Sequence, residues 1–339
     1  MDVRNTEVLP PPPGILASLQ TGFNVVSNRV GLILIPVALN LFLWLGPRLS
    51  VGKLYEAFLT NWVELLRSNN LPEQELSIYT ENMPILVDAF NRLHWLSWIR
   101  TLPIGVPALM LDLPEKFPVQ TPLGLQPVIQ FSSPLFLLLS IPALSLLGWL
   151  LGGWYFRLVA AASLGDEEAG ISLIRAWAQT ILLSLAWSVG WVVLLIPLVL
   201  VVGFLGAVSP VVAQIFFFVA LFFSFWLIVP LFFTPHGIFV KRQNAFRSVM
   251  SSLRLSRFTL PTSSLFVLSV FLLARGLSYL WRVPENDSWL ALVGIAGHGF
   301  ISTALLAASF VYYRDMNEWL DTVYERFLQV GGRSPAKKI

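Results

Sequence analysis

The residues with the clearest potential for chemistry are three histidines, His94, His236 and His298, which lie far apart in the sequence. No HExxH or His-x-His motif includes them, and no carboxylate lies three or four residues from any of them. Metal-dependent hydrolysis therefore lacks its usual ligands. The sequence contains no cysteine, which removes thiolate ligands and a cysteine nucleophile. We predict no catalytic residue, no metal site and no cofactor, and we do not expect an enzyme.

Polar side chains inside long apolar runs are the remaining candidates for a site. Asn40, Arg275 and His298 lie in such runs, and an ionisable residue at membrane depth is a functional-site hypothesis by default. Arg275 and His298 lie in the consecutive runs 264–281 and 289–313, at comparable depths from the same predicted outer side of the membrane. They could therefore share a polar pocket. Alternatively, the arginine extends to the membrane interface and the histidine is structural. Asp and Glu avoid these runs, which weakens the hypothesis of a proton-coupled or cation-coupled transporter.

Long apolar segments must position these side chains. The chain has 339 residues and is 56% hydrophobic, which is more apolar than an ordinary soluble domain. A membrane-spanning helix needs roughly 20 apolar residues, and the runs are apolar on every face, unlike the alternating strands of a β-barrel. We predict an all-α, polytopic membrane helix bundle with about six transmembrane helices and additional interfacial amphipathic helices. The spans are 31–46, 134–156, 176–205, 210–233, 264–281 and 289–313.

The distribution of positive charge predicts the orientation of the bundle. Lys and Arg accumulate on the cytoplasmic side of membrane proteins, and short loops carry most of this signal. With six spans, both termini and the loops 157–175 and 234–263 share one side, which holds fourteen Lys or Arg residues. The short loops of the other side, 206–209 and 282–288, hold only Arg282. We predict a multi-pass protein of the cell membrane with both termini in the cytoplasm.

The most basic stretch of the chain, residues 234–261, has five Lys or Arg residues and no Asp or Glu. Apolar residues recur at helical spacing from Ala245 to Leu253, and Arg247 and Arg254 are predicted to share the opposite face. This pattern predicts a helix lying in the membrane interface. Its cations either follow the positive-inside rule alone or also bind anionic lipid headgroups or a partner. The candidate contacts are Lys241, Arg242, Arg247, Arg254 and Arg257.

The predicted spans divide the chain into five regions. Amphipathic stripes precede the first, third and fifth spans, so the chain is interpreted as three units, each an amphipathic helix followed by a pair of spans. The regions are a cytoplasmic N-terminus with an amphipathic helix (1–30), a first transmembrane helix (31–47), an extracytoplasmic cap (48–133), transmembrane helices two to six (134–313) and a cytoplasmic tail (314–339).

The extracytoplasmic region changes character along its length. Helical spacing of apolar residues predicts one helix after Ser50 and another after Met83 and Pro84. From 103 to 133 a proline recurs every four to seven residues, which excludes a regular helix or a central strand and predicts an extended apolar segment. Because so much exposed apolar surface would promote aggregation, the segment 103–133 either folds back over the membrane domain as a cap or docks a partner protein.

The basic stretch and the repeated arrangement of amphipathic helices and spans resemble the multi-pass membrane domain of glycerophosphodiester phosphodiesterases and related bacterial integral membrane proteins. In those proteins a cytoplasmic segment of similar form precedes a helix. The matching positions here are Asn244, Ala245, Ser248 or Ser252, and Leu253. The resemblance implies a six-helix membrane fold without a catalytic domain. No soluble segment in this sequence approaches the roughly 250 residues of a TIM barrel, so the resemblance implies no phosphodiesterase activity.

These observations favour a non-enzymatic integral membrane protein, a scaffold or accessory subunit that organises lipid or a partner protein. The alternative is a transporter or channel-like protein with a cavity between transmembrane helices near Arg275, His298 and Asn40. An intramembrane enzyme acting on lipids is the third hypothesis, for which the sequence shows no nucleophile–base pair. We expect anionic membrane lipids as partners on the cytoplasmic side, and no nucleic acid.

Overall fold

A computed structural model describes residues 11–70, 72–111, 114, 117–165 and 170–330. The parts of the predicted cytoplasmic termini at 1–10 and 331–339 lie outside these residues. The described helices are α1 (Ile15–Asn28), α2 (Leu34–Leu45), α3 (Gly52–Ser68), α4 (Glu73–Arg92), α5 (Pro134–Leu164), α6 (Leu173–Val208), α7 (Pro210–Phe233), α8 (His236–Val240), α9 (Ala245–Trp281) and α10 (Ala291–Val330). Short 3₁₀ helices occupy Val30–Ile33 and Trp95–Ile99, and the short strands are β1 (Arg48–Ser50), β2 (Gln120–Thr121), β3 (Gly124–Leu125) and β4 (Val128–Gln130).

Among the described residues, five helices are long and apolar enough to cross a membrane: α5, α6, α7 continued by α8, α9 and α10. The 12 residues of α2 rise only about 18 Å, less than the roughly 30 Å of a bilayer core. A sixth span is present if α1 and α2, which meet at a bend of 94°, cross together. The prediction of an all-α, polytopic membrane bundle is confirmed, and this chain is an integral, multi-pass membrane protein.

The helices α6 and α7 expose a largely hydrophobic surface. Most of their side chains are exposed on the surface of the folded chain, although nearly all of them are hydrophobic. Water could not solvate such a surface favourably, whereas the hydrocarbon of a bilayer can. These two spans therefore present lipid-facing surface on most of their circumference.

The chain divides into two compact units. The first unit comprises Met1–Val30, Phe156–Ala274 and Thr303–Ile339, and the second comprises Gly31–Tyr155 and Arg275–Ser302. The division falls inside α5, α9 and α10, so each of these helices contributes residues to both units.

Aromatic side chains form the core of the first unit. Phe266 and Tyr312 stack with ring centroids 4.0 Å apart and an interplanar angle of 5°. Phe233 lies 5.9 Å from the rings of both Tyr312 and Tyr313. All four side chains are fully buried, and aromatic pairs of this kind contribute about 0.5–1.5 kcal/mol beyond the burial of their area.

Most of the basic stretch forms the first part of α9, and a kink at Thr259 separates this part from the fifth span. Asn244 caps the helix, since its side-chain oxygen accepts a hydrogen bond of 2.8 Å from the backbone N–H of Arg247. The backbone leaves helical geometry only at Thr259 (φ −123°, ψ 18°), two residues before Pro261, which cannot donate to the helical ladder. The hydroxyl of Thr259 donates to the Leu255 carbonyl at 2.8 Å.

The three predicted amphipathic helices differ in the structure. The first, α1, is a separate helix. The second stripe belongs to the start of α6, which begins at Leu173 with Ser172 as its cap. The third forms the part of α9 before Thr259, where a kink separates two helical parts. Hydrophobic periodicity marks a helical face in each case, but it does not reveal whether the helix breaks before the span.

The centre of the second unit is α2. On one side, Trp44 packs with Ala291 and Ile295 of α10. On the other side, Leu43 belongs to a buried cluster with residues that follow α4 along the chain. These residues are Leu96, Ile99, Ala108 and Leu111.

The helices α3 and α4 form an antiparallel hairpin, because Tyr55 near the start of α3 stacks on Phe90 near the end of α4 with centroids 3.7 Å apart. The helix predicted after Met83 and Pro84 instead begins at Glu73, and Pro84 lies inside α4. The strands are minor elements: β1 pairs in parallel with β4, and β2 pairs antiparallel with β3.

Glycines on α5 allow the extended segment after α4 to lie directly against this spanning helix. A Cβ atom on Gly148 would lie less than 3.0 Å from the carbonyl oxygen of Ile99, and a Cβ on Gly152 would lie 2.8 Å from the Cα of Gly105. These glycines are about 21 Å and 27 Å along α5 from its first residue. The segment 99–105 therefore lies directly against α5 at Gly148 and Gly152.

We expect Gly148→Ala to lower stability by about 1–3 kcal/mol, because the new methyl group would force the Ile99 carbonyl away from α5. Gly190→Ala on α6 is the matched control, since a Cβ there would meet nothing within 4 Å and alanine favours the helix. The thermal unfolding midpoint of each purified variant in detergent measures the effect. Equal midpoints for the two variants would contradict the close approach.

Candidate functional site

The exposed side of the first half of α9 combines apolar and basic side chains. Phe246, Met250 and Leu253 are 73%, 46% and 43% exposed, and Arg247 and Arg254 are exposed beside them. We call these five residues the α9 surface. The arginines lie roughly 100° around the helix from Phe246, so they flank the apolar stripe, whereas the sequence analysis placed them opposite to it.

A row of hydroxyl side chains occupies the side of α9 opposite to its apolar stripe. Ser248 donates a hydrogen bond to the Thr234 carbonyl, and Ser252 donates to the Pro230 carbonyl. The Pro230 carbonyl is available because the N–H of Thr234, which would bond it in a regular helix, bonds to Leu231 at 3.2 Å. The serines thereby satisfy carbonyls that the end of α7 leaves without a helical partner, and they hold α9 with its apolar stripe outward.

Lys241, one of the predicted lipid contacts, is partly engaged within the protein. The ammonium of Lys241 donates to the side-chain oxygen of Asn317 at 2.7 Å. Burial lowers the pKa of Lys241, nearby Asp321 opposes this change, and the charge of Arg254 adds to it. Lys241 and Arg254 are therefore close neighbours on the same basic surface.

Arg242 adopts a left-handed backbone conformation with φ 53°, which is unusual for a residue with a Cβ atom. Its carbonyl accepts a hydrogen bond of 2.7 Å from the guanidinium of Arg175. The guanidinium of Arg257 lies 6.0 Å above the ring of Phe258. The site prediction missed Arg175, because its position 67 residues before Arg242 gives no local signal of proximity.

A buried histidine and a serine meet in the first unit, although the sequence shows no nucleophile–base pair. Nε2 of His236 and the hydroxyl oxygen of Ser309 are 2.8 Å apart. The same hydroxyl oxygen lies 2.7 Å from the Leu306 carbonyl oxygen. The tautomer of the imidazole sets which of the two side chains donates in the His236–Ser309 bond.

Asn40, one of the three predicted intramembrane site residues, holds the extended segment in place. Its amide nitrogen donates to the carbonyls of Pro36 at 2.7 Å and Pro107 at 3.1 Å. Its oxygen accepts from the backbone N–H groups of Leu109 at 2.6 Å and Met110 at 3.1 Å. Asn40 is fully buried, and these bonds use its full hydrogen-bonding capacity. Its role is structural, because extended backbone among apolar helices needs partners.

The other two predicted site residues lie apart from Asn40. Arg275 is exposed on α9 and His298 is half-buried on α10, and no hydrogen bond or ion pair within the described ranges joins them to each other or to Asn40. His298 is instead influenced by the charges of Arg282 and Arg100. Burial lowers the pKa of Arg282, and neighbouring Arg100 lowers it further. The second unit thus brings together three basic groups that sequence spacing did not connect.

A second buried histidine lies beside a buried arginine in the second unit. Arg48 donates to the Arg92 carbonyl, and burial lowers its pKa to about 10. Burial, together with the charge of Arg48, lowers the pKa of His94 to about 4, while the Leu43 carbonyl opposes this change. His94 is therefore neutral at physiological pH.

The surrounding geometry offers no metal centre: in the part of the chain that the structure describes, no group of three or more His, Asp or Glu side chains could hold an ion. The fold and these surfaces define a multi-pass integral membrane protein with basic surfaces. Comparison with protein-family models, curated proteins and solved structures yields no match for this chain.

We expect Asn40→Leu to lower stability by about 2–4 kcal/mol, because it leaves buried backbone groups of the 107–110 segment without partners. Asn82→Leu is the control, since the Asn82 side chain bonds only the Ile78 carbonyl on the exposed side of α4. Thermal unfolding in detergent compares the two variants. A loss for Asn40→Leu no larger than the loss for Asn82→Leu would show that the segment is held by other contacts.

We expect His94 to make the protein less stable in acid. Its pKa is about 4 in the folded chain, against 6.5 as the ordinary value. Between these two values the unfolded chain binds a proton that the folded chain does not, so stability is complete above pH 6.5 and falls as the pH drops toward 4. His94→Gln should reduce the loss of stability between pH 7.5 and pH 4.5 by about 2 kcal/mol. Identical pH dependences of the unfolding midpoint would rule out this contribution.

Proposed function

We propose that this protein is a non-enzymatic scaffold or accessory subunit of the cell membrane, with both termini in the cytoplasm, which organises anionic lipid through the α9 surface. The observation that carries this proposal is the exposure of an apolar stripe directly beside exposed arginines. Such a surface suits the membrane interface, where apolar side chains enter the acyl region and cations meet headgroups.

The charge distribution supports an anionic rather than a neutral lipid. Arg175 bonds the Arg242 carbonyl, and Arg242 and Arg257 precede and follow Arg247 and Arg254 in the chain; all of these arginines are exposed. Each cation near an anionic membrane surface contributes about 1 kcal/mol of attraction. The serines that bond α9 to the end of α7 fix the orientation of the helix, so its backbone does not have to be ordered when lipid binds.

The partial burial of the extended segment 103–133 supports the proposal that this segment is a cap of the scaffold. Ile104, Val106 and Leu109 are buried within the second unit, so this part of the segment is already covered. Exposed apolar residues remain near its β-hairpin, at Leu123 and Leu125. If a partner protein docks on this segment, this tip is the surface we propose for it.

The alternative proposal is a transporter or channel-like protein with a cavity between transmembrane helices near Arg275, His298 and Asn40. The side chain of Asn40 is fully engaged by backbone groups, and Arg275 is exposed on its helix. The two best-formed cavities among the described residues include none of Arg275, His298 and Asn40 in their linings.

We expect the double variant Arg247→Gln and Arg254→Gln to bind phosphatidylglycerol about tenfold more weakly, because it removes two headgroup contacts. Native mass spectrometry of the protein in detergent, titrated with phosphatidylglycerol or phosphatidylcholine at low salt, measures the affinity. The loss should shrink at high salt, where exposed charges are screened. The count-matched control is Lys53→Gln with Arg67→Gln, which removes two exposed cations of α3. Unchanged phosphatidylglycerol binding at low salt would remove the lipid-organising role.

A further inference from the structure

An apolar groove runs along the first turns of α10 in the second unit. Its walls are Ile33, the ring of Trp281, and the face of α10 that extends from Leu292 to Ile301. Leu292 and Val293 are exposed at 39% and 60%, so the groove opens at the surface of a membrane-spanning helix. Its length is about 13 Å along the helix axis, close to the roughly 15 Å of hydrocarbon in one leaflet.

Two glycines create this groove. A Cβ atom on Gly294 would lie less than 3.0 Å from the carbonyl oxygen of Trp281, and one on Gly297 would lie less than 3.0 Å from its indole ring. The end of α9 therefore lies directly on α10, and the indole ring forms one wall. Ala296 lies between these two glycines in the chain, lines the groove and is exposed. Its small side chain leaves space in the groove that a larger side chain would fill.

Basic groups lie at the Trp281 side of the groove. Arg282 follows Trp281 directly in the chain, His298 follows Gly297, and the charges of Arg282 and Arg100 both act on His298. Three basic residues from separate parts of the chain therefore lie beside the apolar groove. Guanidinium groups bind phosphate oxygens through strong, charge-assisted hydrogen bonds.

Two buried nitrogen atoms on Trp281 and His298 lack a partner in the described residues. Nε1 of Trp281 and Nε2 of His298 are shielded from solvent and form no hydrogen bond. An indole N–H is only a donor, so Trp281 requires an acceptor oxygen. Leaving such a group unpaired in apolar surroundings costs about 1–3 kcal/mol, which a ligand oxygen would recover.

We propose that the groove binds one anionic phospholipid, with an acyl chain along the Leu292–Ile301 face of α10 and its phosphate between Arg282 and Arg100. A phosphate or ester oxygen accepts from Nε1 of Trp281. This site shares no residue with the α9 surface and does not depend on it.

The test compares phosphatidylglycerol, phosphatidylcholine and inorganic phosphate as probes, with affinities from native mass spectrometry in detergent. The background is the Arg247→Gln and Arg254→Gln double variant, so that failure of the α9 surface does not affect the result. In this background, Arg282→Gln removes a phosphate contact and Ala296→Phe fills the groove from an exposed position. Each should weaken phosphatidylglycerol binding about tenfold. Circular dichroism and size-exclusion chromatography check that the variants fold.

The matched control is Arg275→Gln, which removes an exposed arginine of the same helix and should leave the affinity unchanged. Equal losses for Arg275→Gln and Arg282→Gln would overturn the site in favour of general surface charge. Equal affinities for phosphatidylcholine and phosphatidylglycerol would overturn recognition of the anion. Displacement of phosphatidylglycerol by inorganic phosphate, with no effect of Ala296→Phe, would assign the basic groups to free phosphate and overturn the lipid site.

Discussion

Backbone amides and carbonyls that leave regular helix at membrane depth have to find partners within the protein, because hydrocarbon offers none. Much of this structure follows from that constraint. Ser248 and Ser252 supply donors to the carbonyls at the end of α7. Asn40 supplies both donors and acceptors to the 107–110 segment. The amide nitrogen of Gln126 lies within hydrogen-bonding distance of three carbonyls at the end of α2, those of Leu43, Trp44 and Gly46, to which its two hydrogens can be donated.

Small residues allow backbone segments to approach each other closely. Gly148 and Gly152 allow extended backbone to lie on α5, and Gly294 and Gly297 allow the end of α9 to lie on α10. In membranes, close approach of backbones replaces the hydrophobic effect as the source of helix association, since lipid is as apolar as the side chains. Residues that could be taken for a phosphate-binding loop, such as the glycines of α10, therefore have a packing role.

The functional surfaces use what this packing leaves exposed. The bonded serine side of α9 turns Phe246, Met250 and Leu253 outward beside Arg247 and Arg254. The contact of Trp281 with Gly297 leaves a groove beside Arg282. Anionic lipid is the ligand class that we propose for both surfaces, because both combine apolar area with guanidinium groups.

The sequence by itself determined the membrane-spanning helices, the concentration of cations around α9 and the extended character of the proline-rich segment. Each of these properties depends on local composition or on a periodicity of a few residues, which a linear pattern contains. The tertiary structure alone decided that Asn40 binds backbone about 70 residues away, that His298 meets Arg100 and Arg282 and not Arg275, and that serines form the bonded side of α9. Those partners depend on which faces of distant helices meet, and the phase of one helix against another is set by packing between segments that are far apart in the chain.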